Sequence, residues 1–142
     1  MLLEPTSQPG SAWLEIVSRP SVSAFAKAFS SNVTLEATAL EIPLRDVDSL
    51  YDFFCTTRSM YDRIAFVQEM RSKTRVCLEW EGVFQGKEIS GATILTYGSA
   101  DSIEGIRLFH YPYDQLNAFS AELVRRRALN NGLDQSTKRS KS

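Results

Sequence analysis

Histidine occurs once in the 142 residues, cysteine twice, proline five times and glycine seven times. A single histidine with no partner cysteine excludes a typical zinc site, and Cys55 and Cys77 fit neither a metal nor a redox spacing. Two cysteines also exclude a disulfide scaffold, and so few glycines and prolines exclude a collagen-like or low-complexity chain. No run of about 18 apolar residues is present, so no membrane-spanning helix is expected. Met1-Leu2-Leu3-Glu4-Pro5 lacks the basic start and apolar run of a signal peptide, which points to a cytoplasmic protein with reduced thiols. Basic charge is scarce ahead of Arg125, where ten Lys and Arg face sixteen Asp and Glu for a net charge of −6. Nucleic-acid affinity needs clustered cations that release counterions, so no nucleic-acid partner is expected, and no membrane partner either.

What is present suits one globular domain. Hydrophobic residues make up 43% and aromatic residues 11% of the chain, enough for a single core without disulfide or metal. Residues 1–10, rich in turn formers, read as an extended lead-in, residues 11–127 as the domain, and residues 128–142 as a polar, basic and flexible tail.

Spacing within the domain predicts the elements. Ser11 caps a short helix through Trp13, Leu14, Ile16 and Val17, ended at Arg19-Pro20. Val22, Phe25, Ala26, Ala28 and Phe29 form a second helical stripe, stopping near Ser30-Ser31-Asn32. The β-branched run Val33–Leu40 predicts a strand. Residues 46–59 return to helical spacing, with Asp46 or Asp48 as cap and Leu50, Phe53 and Phe54 as buried stripe. Four period-two segments follow, Ile64–Met70, Arg75–Phe84, Glu88–Tyr97 and Ile103–His110, joined by turns short enough to make them antiparallel neighbours. A last helix runs from Tyr113 to about Arg127. Strands without crossover helices make this α+β, with a strongly curved, mostly antiparallel sheet wrapped around about three helices and a cavity on its concave side.

The run Ala26–Glu36, the helix Ser49–Phe54, the strand ending Leu78-Glu79-Trp80-Glu81-Gly82 and the closing Ile103–Phe109 resemble the nuclear transport factor 2-like superfamily, in particular its SnoaL-like and ketosteroid isomerase-like members. The resemblance implies a cone-shaped half-barrel around an apolar pocket and a homodimer through the outer sheet face. Isomerases, dehydratases, polyketide cyclases and non-catalytic proteins share this fold, so the site must decide the function. Carrying the ketosteroid isomerase site over by position puts Trp13 where the family has a tyrosine, Ala37 where it has the base and Thr93 where it has an aspartic acid. Alanine abstracts no proton, so the family's acid–base set is not retained, and a shift of one residue would bring Glu36 in place of Ala37.

The candidate acid–base residues are His110, on the face that buries Ile106 and Leu108, and Glu36, with Glu69 behind them. A two-residue turn at Gln85-Gly86 would place Leu78, Trp80, Thr93 and Leu95 on one face and Glu79 and Glu81 on the other. Trp13, Phe25, Ala37, Tyr61, Phe66, Trp80, Thr93 and Tyr113 are the candidate pocket lining, with Arg58–Arg63 at its mouth. The chain is therefore expected to bind a small apolar molecule, without cofactor or metal. The alternatives are an acid–base enzyme that uses His110 with a tyrosine or glutamate, and a dimeric interaction module without ligand.

Overall fold

A computed structural model describes residues 8–140, and the side chains of residues 8–130. Most of the expected lead-in, residues 1–7, and the last two residues of the tail lie outside the described residues. The elements are α1 (Ser11–Val17), α2 (Val22–Ala28), β1 (Phe29–Ala37), α3 (Val47–Arg58), β2 (Arg63–Arg71), β3 (Arg75–Phe84), β4 (Lys87–Tyr97), β5 (Ile103–Tyr111) and α4 (Tyr113–Ser140), with one turn of 3-10 helix at Ser99–Asp101. The five strands form one open sheet in the order β1-β5-β4-β3-β2. β2 to β5 are antiparallel neighbours, and β1 joins the β5 edge in parallel, so the architecture is α+β with a mixed sheet.

Local chemistry explains most element boundaries. Asp46 caps α3 by accepting the Ser49 N–H at 2.7 Å, and Ser21 caps α2 by accepting the Ala24 N–H at 3.1 Å. Phe84 pairs with Lys87, so Gln85-Gly86 is a two-residue hairpin turn, with both residues at positive φ (52° and 79°) as such turns require. This register sets Leu78 opposite Thr93 and Val76 opposite Leu95 on the buried face, while Glu79 and Glu81 point away.

Three boundaries differ from the sequence expectation, and the N-cap of α1 is Gly10 rather than Ser11. Phe29 opens β1 instead of closing α2, because the α2 ladder ends with its N–H on the Phe25 carbonyl while its backbone is already extended. β1 ends at Ala37 rather than Leu40, since the chain folds back and Leu44 exchanges both backbone hydrogen bonds with Leu35. α4 continues to Ser140, past the expected end near Arg127.

The core lies between the concave face of the sheet and the helices. Phe25, Leu35, Leu50, Phe53, Phe84, Phe119 and Leu123 are at most 1% exposed. Phe25 packs edge-to-face against Phe29, Tyr51 and Phe54, which ties α2, β1 and α3 together.

Candidate functional site

Strand register builds the floor of the site. Phe66, Trp80, Gly91 and His110 fall in one row across β2, β3, β4 and β5. Gly91 is required there, because a Cβ would strike both the Trp80 ring and the Phe109 carbonyl oxygen. The indole occupies that space and meets the His110 imidazole edge-on, with ring centroids 5.4 Å apart. Leu78, Thr93 and Leu108 form the adjoining row.

Tyr61 enters from the segment between α3 and β2, which is fixed by the Asp62 N–H on the Val83 carbonyl and by the Asp62 carboxylate on the Gly86 N–H. Its ring packs on Phe119 and Trp80, with centroids 5.1 and 5.6 Å away. Its hydroxyl lies 3.2 Å from His110 Nε2. On the other side of the imidazole, Nδ1 lies 3.2 Å from Thr38 Oγ1, which also accepts the His110 backbone N–H at 3.1 Å and stands 3.4 Å from the Leu108 carbonyl.

This Thr38–His110–Tyr61 chain has two self-consistent proton arrangements. When Thr38 donates to the Leu108 carbonyl, Nδ1–H donates to Thr38, and the bare Nε2 accepts from Tyr61; the phenol oxygen then offers a lone pair to a ligand. When Thr38 donates to Nδ1, Nε2–H donates to Tyr61, whose O–H is free to donate to a ligand. Interconversion moves protons along the chain without charging the imidazole. Burial supports this neutrality, since it pushes the His110 pKa down to about 4 and holds the Tyr61 phenol well above its ordinary value.

Above this chain sits a cavity of about 120 Å³. α1 contributes Trp13, Leu14 and Val17, α3 contributes Phe53, Phe54 and Thr57, and α4 contributes Phe119. The sheet and the Tyr61 segment supply Tyr61, Ile64, Phe66, Trp80, Thr93, Leu108 and His110. Exposed Ser18 and Arg58 form the rim, where Arg58 Nη1 donates to the Ser18 carbonyl at 2.6 Å. Among the described residues, no carboxylate lines the cavity. Among the described residues, no group of three or more His, Cys, Asp or Glu is placed to hold a metal ion.

The cavity brings together Trp13, Tyr61, Phe66, Trp80, Thr93 and His110 from the sequence candidates. The other five stand elsewhere. Glu36 is exposed on the convex side and pairs with Arg107 at 3.0 Å, because β1 alternation turns Val33 and Leu35 inward. Ala37 lies beside it in a shallow depression with Thr38, Arg107 and Phe109, outside the cavity. Phe25 is wholly buried in the helix–sheet core, and Tyr113, the first residue of α4, is 73% exposed. Glu69 reaches the concave side through a bulge between Phe66 and Gln68, yet its work is structural. Its Oε1 accepts the Gly10 N–H at 2.9 Å and its Oε2 pairs with Arg71, and these contacts hold its pKa below the ordinary value against the opposing effect of burial.

Sequence reasoning missed Thr38 and the α3 wall. Thr38 reaches His110 only because β1 lies beside β5, a parallel pairing with no hairpin signal. The α3 residues were legible as a buried stripe, but which of them face an opening depends on how the helix docks.

No protein-family model matches the sequence, and no curated protein matches it. Solved structures do match in fold. A steroid delta-isomerase from Pseudomonas aeruginosa superposes with a TM-score of 0.77 at 16% identity, over 86% of this chain and 90% of that one. An uncharacterised bacterial protein with a cystatin-like fold from Silicibacter pomeroyi gives 0.74 at 14% identity, over 84% and 85% of the two chains. A hypothetical protein from Catenulispora acidiphila with a ketosteroid isomerase-like fold, solved in complex with trimethylamine, gives 0.60 at 17% identity, over 81% and 95%. An open five-stranded curved sheet closed on its concave side by helices, shared with these chains, is the nuclear transport factor 2-like fold, and this chain has it.

Proposed function

We propose that the protein binds a small, mostly apolar molecule, with the apolar part in the cavity, where an oxygen on the ligand would meet the Tyr61 hydroxyl. The observation that carries this reading is the Tyr61–His110 hydrogen bond at the base of a cavity lined mainly by aromatic and aliphatic side chains. Volume limits the ligand. A cavity of roughly 150 Å³ takes a benzene-sized molecule, so about 120 Å³ suits a single ring or a short branched chain, and a steroid nucleus is too large. The trimethylamine bound by the Catenulispora protein falls in the same small size class. Free cysteines at Cys55 and Cys77 suit a reducing compartment such as the cytoplasm.

A second reading is an acid–base enzyme in which Tyr61 polarises a ligand carbonyl and the neutral His110–Thr38 pair resupplies the proton. The continuous hydrogen-bond chain favours it. It ranks second because no carboxylate among the described residues lines the cavity and burial makes His110 a weak base. One experiment separates the readings: a panel of single-ring ketones and phenols is scored for thermal shift and, for the ketones, for exchange of the α-hydrogens in deuterated water. Thermal shifts without exchange support the binding reading, exchange abolished by Tyr61→Phe supports the enzyme, and no shift with any compound overturns both.

A homodimer through the convex sheet face is part of the proposal. Met70, Phe109 and Tyr111 are exposed there by 47%, 42% and 69%, which is costly surface for a chain that stays alone.

A further inference from the structure

The rim of the cavity differs in chemistry from its interior. Inside, the polar groups are neutral: the hydroxyls of Tyr61, Thr57 and Thr93, the imidazole of His110 and the indoles of Trp13 and Trp80. At the rim stands Arg58, the last residue of α3. One of its N–H groups donates to the Ser18 carbonyl at the C-terminal end of α1, which holds the guanidinium at the opening. Among the described residues, that contact leaves its other donors unused and Arg58 makes no ion pair. Among the described residues, no acidic side chain lines the cavity or its rim, although the chain ahead of Arg125 carries a net charge of −6. A fixed cation at the edge of a low-dielectric cavity attracts an anion more strongly than the same cation in open water, and a guanidinium matches the two oxygens of a carboxylate.

We infer that the ligand is a small apolar carboxylate, such as a single-ring aromatic acid, whose ring fills the cavity between Trp13 and Trp80 while its carboxylate lies on Arg58. The inference rests on the binding reading above and names its substrate class. A compound with a further oxygen on the ring would also reach Tyr61. Cations are disfavoured by the same rim.

The test uses isothermal titration of the full chain with phenylacetate, its neutral isostere phenylacetamide, and trimethylammonium. Phenylacetate is expected to bind about tenfold more tightly than the amide, the worth of one charge-assisted hydrogen bond, and trimethylammonium not at all. High salt should weaken the acid and leave the amide unchanged. Arg58→Gln should bring the acid down to the amide's affinity, and Arg58→Lys, which keeps the charge, should retain part of the difference; melting of both unliganded variants checks that they fold. Equal or tighter binding of the amide by the wild-type chain overturns the carboxylate assignment while leaving the cavity reading intact. If neither aromatic compound binds, both fall.

Discussion

In the proposed binding site, Tyr61 is the donor and His110 the group that orients it. Tyr61→Phe removes the hydroxyl and leaves His110 Nε2 without its partner. Stability should fall by about 1 kcal/mol. Affinity for a ring bearing an oxygen should fall about tenfold, while affinity for toluene should be unchanged, which titration of the two ligands reads directly. His110 sets an acid limit. Its pKa is about 4 in the fold against an ordinary 6.5, so its neutral form is stabilised by folding. Its contribution is full above the unfolded value, and is lost as pH falls from 6.5 through 4, because the unfolded chain takes up the proton first. The loss should approach about 3 kcal/mol. Urea midpoints measured across that window should show the decline, and His110→Gln, lower in stability overall, should flatten it. His110 itself was legible in the sequence from strand alternation. Thr38 was not, because its partner sits 72 positions away on a strand it meets only in three dimensions.

At the scale of the element, the β3–β4 hairpin carries the site's precision. Its two-residue turn fixes which side chains share a face, and Gly91 makes room for the Trp80 indole. Gly91→Ala should therefore cost about 2 kcal/mol or more in denaturant unfolding and weaken ligand binding with it, since the added methyl meets backbone on one side and a site ring on the other. Asp46 acts on α3 alone. Replacing it with Ala removes the cap on the Ser49 N–H and should lower stability by about 1 kcal/mol, with ligand affinity retained. Helix and strand types followed from apolar spacing, and the α3 cap and the hairpin turn from specific residues. The β2 bulge was hidden: simple alternation from Ile64 and Phe66 puts Glu69 on the other face, and only the register shift after Phe66 turns it toward Gly10. The bulge also explains why a strand carboxylate near the site serves structure, since α1 and its Trp13 are tethered through it.

For the whole molecule, the two faces of the sheet have different tasks. The concave face is committed to the core and the cavity, whereas the convex face carries Glu36–Arg107 and exposed Met70, Phe109 and Tyr111. Sedimentation velocity should find a dimer that Phe109→Glu dissociates, with the melting response to cavity ligands preserved because Phe109 points away from the cavity. A monomeric wild-type chain at high concentration would remove the dimer from the proposal.

The sequence by itself determined the element types, the α+β class and the two faces of the hairpin. These follow from the spacing of apolar residues and from turn and cap chemistry, which act over a few residues. Only the tertiary structure decided that Thr38, Tyr61 and His110 form one hydrogen-bond chain, that Arg58 stands at the opening, and that Glu36, Ala37, Phe25 and Tyr113 lie outside the cavity. The reason is that each of these depends on a parallel strand pairing, a bulge or the docking of a helix on a curved sheet, and such long-range placements are set by the packing of the whole core rather than by any local pattern.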